Sequence, residues 1–127
     1  LYDNFNYQNF LYAKNKYAIT EGSQDDYIKS YIVRLNYLKS ILKKNNILPI
    51  FITQVEYDGL SNKNLFKINN ETKKFAKKNN YLFVPLDEIV EMSEHDFYDK
   101  VHTTPQGSRK IAILIYPYLK KFLTSLE

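Results

Sequence analysis

The stretches ILPIFITQV at residues 47–55 and YLFVPL at residues 81–86 decide how this chain folds. Both are short, apolar and rich in β-branched or aromatic residues, with no polar alternation. That pattern belongs to a parallel strand buried on both faces. Pro49 sits near the start of the first, where a missing N–H matters least. Between the two stretches, Leu65, Ile68, Thr72, Phe75 and Ala76 recur every three or four residues, which predicts a helix ending at Asn79-Asn80. Strand, helix and strand in that order predict a right-handed crossover within one parallel sheet.

Working outward, Ile28, Tyr31, Leu35, Leu38 and Leu42 form one stripe of a helix from about residue 25 to 44, with Ser23 or Asp25 as its cap and Asn45-Asn46 as its end. Residues 1–22 are aromatic and Asn-rich without periodicity and read as irregular. Residues 56–64, holding Asp58-Gly59, read as a loop. Downstream, residues 87–92 fit a short helix and residues 93–104 a polar loop. A last helix starts near Pro105, capped by Thr103 or Thr104, with Thr103-x-x-Gln106 matching a capping box. Ile111, Leu114, Ile115, Tyr118, Leu119 and Phe122 form its stripe, and Pro117 should kink it.

The order over residues 23–127 is helix–strand–helix–strand–helix. Two parallel strands make too small a sheet for three amphipathic helices. The expectation is therefore a single partial α/β domain, the C-terminal half of a larger one. The chain has 127 residues, twelve Tyr and eight Phe, a composition suited to a packed core. No apolar run reaches membrane-spanning length. There are no cysteines, so disulfides and thiolate metal sites are excluded. The net charge is +4, but the lysines are interspersed with Asn, Ile and Tyr, and only Arg34 and Arg109 could give bidentate phosphate contacts. Solvated helix faces explain Lys73-Lys74 and Lys77-Lys78 better than nucleic-acid binding does, and Tyr27, Tyr31, Tyr118 and Phe122 read as core stripe rather than base-stacking platforms.

One constellation could carry chemistry. Asp99-Lys100-Val101-His102 places a carboxylate one turn before an imidazole, just ahead of the last helix. Residues three apart share a face in a turn, so Asp99 can bind one ring nitrogen and leave the other free to take a proton. Lys100 should then face solvent and Val101 the core. The plain alternative is a pair of surface loop residues beside a helix N-terminus. Thr53 and Gln54, at the end of the first strand, are candidates for lining a substrate cleft, since open α/β sheets bind ligands beyond their strand C-termini. His95, Asp96, Asp99 and His102 could in principle hold a metal, but no helical His-x-x-x-His or comparable spacing supports it, and no metal or cofactor is expected.

Residues 99–107, DKVHTTPQG, resemble the last block of SGNH/GDSL-type hydrolases: Asp-x-x-His followed by Thr or Pro and a Gly that opens the final helix. Residues 31–42, 50–54, 70–72 and 81–86 are similar in arrangement, so the resemblance covers roughly residues 28–123. It implies a flavodoxin-like α/β/α sandwich with parallel strands that acts on acyl esters of small molecules, lipids or glycans without a metal. Asp99 and His102 would be the acid and base of a serine triad. The serine of that family lies in a Gly-Asp-Ser block, and a Gly and an Asn complete its oxyanion hole. No serine here follows Gly-Asp, and Asp3-Asn4 is at most a remnant of the Asn block. The expectation is thus the Asp/His half of a site, inactive by itself. A non-catalytic flavodoxin-like binding module and an SGNH-type O-acyltransferase are the alternatives.

Overall fold

A computed structural model describes residues 24–57 and 62–125. In chain order these form α1 (Gln24–Lys44), β1 (Ile50–Ile52), α2 (Lys63–Lys78), β2 (Leu82–Val84), the single-turn α3 (Leu86–Ile89), a 3₁₀ turn (Glu94–Asp96) and α4 (Pro105–Thr124). The segment read as irregular at 1–22, Ser23, the side chain of Asp25 and the Asp58-Gly59 part of the loop lie outside the described residues.

β1 and β2 pair in parallel, with Ile50 opposite Leu82, Phe51 opposite Phe83 and Ile52 opposite Val84. Thr53 N–H donates to Val84 O at 3.2 Å and extends the ladder by one bond. The strands are three residues each, shorter than the apolar stretches that announce them. The cause is local. Pro49 has no N–H to pair, and Pro85 ends the second strand. Beyond Thr53 the backbone of Gln54 is taken by a side chain: Asn69 Oδ1 accepts from Gln54 N–H at 3.0 Å, and Asn69 Nδ2 donates to Gln54 O at 2.8 Å. One amide from α2 stands where a neighbouring strand would.

The architecture is α/β: a two-stranded parallel sheet with helices packed on it. The described residues do not amount to a flavodoxin-like sandwich, because two strands offer no sheet wide enough to be layered on both sides. Phe51 points to α2, where it meets Phe75 edge-on at 5.5 Å and stacks on Tyr81 at 5.7 Å. Val84, on the opposite face, is fully buried, and α4 packs against β2. β1 departs from the expectation of a strand buried on both faces: Ile50 and Ile52 are 38% and 37% exposed. α2 covers the Phe51 face, and on the opposite face α4 reaches β2, where Val84 is buried, but leaves Ile50 and Ile52 of β1 part-exposed.

In α2 the expected stripe forms most of the core, with Leu65, Thr72, Phe75 and Ala76 buried, Ile68 half-buried and Asn69 buried among them. Asn62 caps the helix by accepting from the amides of Asn64 and Leu65. In α1, Leu35 and Leu42 are buried but Leu38 is exposed. α4 holds its expected stripe at half-burial throughout and runs on past Pro117. The two long helices that each lead into a strand end alike. Asn46 and Asn80 take left-handed φ values of 52° and 54°. Ile47 N–H reaches back to Leu42 O and Asn46 N–H to Lys43 O; Tyr81 N–H and Asn80 N–H repeat this with Ala76 O and Lys77 O. Each is a Schellman stop with Asn in the usual glycine position.

Candidate active site

The Asp99/His102 pair sits on a turn whose stem is tied at several levels. Thr104 N–H donates to Asp96 O at 2.9 Å, and Thr104 Oγ1 donates to His95 O at 3.0 Å. Phe97 and Thr103 form an antiparallel bridge, and Tyr98 N–H donates to His102 O at 2.8 Å. Phe97 is buried, with the Tyr57 ring edge-on at 6.2 Å. The turn also touches the segment that follows β1: Tyr57 N–H donates to Lys100 O at 2.9 Å. The pair therefore lies beside the chain leaving the C-terminal end of β1.

Within the turn, Asp99 Oδ1 accepts from Val101 N–H at 2.9 Å and His102 N–H at 2.8 Å. Asp99 Oδ2 lies 2.7 Å from His102 Nδ1. The two backbone amides, first that of His102 and then that of Val101, with the imidazole itself, hold the Asp99 carboxyl well below its ordinary value, down to about 2. Asp99 is then ionised at neutral pH and can only accept, so Nδ1 must carry the proton. That tautomer leaves the lone pair on Nε2. The His102 side chain is 75% exposed, so Nε2 is open to an incoming hydroxyl. Val101 does not face the core as its place in the turn suggests; it is 54% exposed. The turn is too tight to fold a side chain beneath itself, and Phe97 fills that role instead. The His95 side chain is exposed, with Glu94 Oε1 3.8 Å from its Nε2.

Asp96 anchors the stem. Its Oδ2 accepts from Ser93 N–H at 2.8 Å, Ser93 Oγ at 3.0 Å and Lys110 Nζ at 2.7 Å. It is completely buried. Lys110 above all, then the Ser93 amide, lowers its pKa from the ordinary range. Gly107, in the first turn of α4, lies so close that a Cβ there would collide with the Asp96 carbonyl oxygen. Thr104, not Thr103, caps α4, its Oγ1 accepting from Gly107 N–H at 3.2 Å. Thr103 instead pairs with Ser108 Oγ at 2.8 Å, so the Thr103/Gln106 capping box does not form.

Thr53 and Gln54 part company. Thr53 is buried, donating to Asp87 Oδ1 at 2.5 Å and accepting from Asp87 N–H at 3.1 Å. Its hydroxyl faces the protein, not a ligand. Gln54 lines a cleft of about 300 Å³ whose walls include Tyr57, Leu65, Phe66, Val90 and Met92. Tyr57 joins this cleft to the Asp99/His102 turn through its bond to Lys100. The sequence reading missed Asn69, Asp87 and the anchoring part of Asp96. Two signals were present: Asn69 stands on the core stripe of α2, four residues after Leu65 and three before Thr72, and Ser93-x-x-Asp96 has capping-box spacing.

Among the described residues no group of three or more His, Asp or Glu could hold a metal ion, and no helix is long and apolar enough to cross a membrane. No protein-family model, curated protein or solved structure shows significant similarity to the chain.

Proposed function

We propose that Asp99 and His102 are the acid and base of a serine-hydrolase site of SGNH/GDSL type that acts on acyl esters in the intact protein. The observation that carries this reading is the 2.7 Å contact from Asp99 Oδ2 to His102 Nδ1 beside an exposed ring. His102 Nε2 takes the proton of an attacking serine hydroxyl and later returns it to the leaving alcohol, while Asp99 holds the tautomer and stabilises the imidazolium. The serine and oxyanion donors come from outside this chain, since no serine in it follows Gly-Asp. The parallel β1/β2 pair is, on this reading, part of a flavodoxin-like sheet, and the open face of β1 is in keeping with that. The cleft beside Tyr57 offers an apolar wall for an acyl group or acceptor.

The test uses the intact protein, expressed with whatever sequence precedes Leu1 in its reading frame. It is expected to hydrolyse short acyl esters, with His102→Ala lowering turnover by orders of magnitude and leaving the fold in place. The 127-residue chain alone is expected to show no turnover. An intact protein that hydrolyses no acyl ester, or that is indifferent to His102→Ala, overturns the reading.

A further inference from the structure

We propose that Asp96, acting with Lys110, is the positioning residue for the Asp99/His102 pair: its buried carboxylate cross-links the two sides of the stem on which their turn is mounted. This rests on the reading of that pair as acid and base.

His102 and Asp99 are both exposed, with side chains 75% and 57% accessible, so no packing fixes the imidazole. Its orientation is inherited from the turn, and the turn's from the stem. Asp96 holds the stem from both sides. Ser93 N–H and Oγ bind Oδ2 on the incoming side, and Lys110 Nζ binds the same oxygen from α4 on the outgoing side. Its backbone oxygen receives Thr104 N–H, and glycine at 107 lets α4 reach it. Asp96 Oδ1 is buried without a partner among the described residues, so Lys110 is the cation that compensates this carboxylate. A buried ion pair generally gives no more stability than apolar residues of equal volume, whereas its directional bonds can specify one geometry. Here the geometry specified is that of the turn stem. The partners of Asp96 are Ser93, Lys110 and Thr104, not the imidazole; it acts through the turn.

The experiment is nuclear magnetic resonance on the 127-residue chain. It follows the titration of the Asp99 carboxyl carbon and the ¹⁵N shifts of the His102 ring, which report the tautomer. Lys110→Met is expected to raise the Asp99 midpoint from about 2 toward 3.8 and to reduce the Nδ1–H tautomer, with far-UV helix signal and β2 amide shifts retained. Ser93→Ala, which removes one of three donors from an exposed position, should move both readouts the same way by less. Lys110→Arg should restore the values of the parent chain. A folded Lys110→Met chain with Asp99 and His102 unchanged overturns the proposal. If Lys110→Met does not fold, Ser93→Ala decides, and unchanged values there overturn it. These readouts need no turnover, so a failure of the acyl-ester reading would appear in the intact protein's activity and leave them untouched.

Discussion

Asp87 and Asp99 are two aspartates with both oxygens engaged, and they differ in what lies one bond further on. Asp87 accepts from Thr53 Oγ1 and Asn69 Nδ2, and those groups are themselves turned back onto backbone: Thr53 takes the Asp87 amide, and Asn69 clamps Gln54. The network closes on itself through these bonds, although Asp87 and Asn69 also line the cleft beside Gln54. Asp99 accepts from two amides and from His102 Nδ1, and there the chain of bonds ends on a nitrogen facing solvent. A buried polar network that satisfies every member makes structure. One that leaves a single basic atom outside, with its tautomer fixed, is equipped to move a proton.

This contrast can be broken most sharply by exchanging each carboxylate for its amide in the intact protein. Asp99→Asn is expected to lower ester turnover by up to about 10⁴-fold, since an amide can hold the wrong tautomer, with the helix signal retained. Asp87→Asn should register first in the melt. Asn69→Ala comes next: it orphans Gln54 N–H and one Asp87 oxygen, and urea unfolding should show a loss of about 1–3 kcal/mol. Gly107→Ala should cost a similar or smaller amount, about 1–3 kcal/mol for the collision with Asp96 O, against a gain of up to about 1 kcal/mol in helix propensity. A melt no lower than that of the parent would show that the stem can yield. The smallest effect is on acid stability. Asp99 has a folded pKa of about 2, below its unfolded value near 3.8, so its contribution is complete above pH 4 and is lost as pH falls to 2. Asp99→Asn should flatten the melting curve across that window.

Much of the fold was legible because it follows period. The 3.6-residue stripes gave α1, α2 and α4, and the unbroken apolar runs gave two parallel strands in the right order. Strand length was not legible, since it depends on Asn69 reaching across from α2, a contact distant in sequence. The pairing of Asp99 with His102 was readable from spacing alone because a three-residue offset within a turn leaves few alternatives. Asp96 was not, because its burial depends on Lys110 and on the close approach that Gly107 permits. The burial of Thr53 was not legible for a similar reason: a strand-end threonine meets solvent unless a partner such as Asp87 arrives from the next segment.

The two Asn-Asn helix stops leave the protein a reserve it does not use. A side chain at a left-handed position carries a steric cost that glycine lacks, and this chain has only three glycines, none of them at Asn46 or Asn80. Asn46→Gly and Asn80→Gly should each raise stability by about 0.5–1 kcal/mol, net of glycine's greater freedom when unfolded. Both positions lie at the ends of helices leading into the strands, away from the turn that holds His102. They are therefore the places where a weakened variant of the site could be rescued without repairing the site itself, so that loss of chemistry and loss of fold can be separated in one molecule.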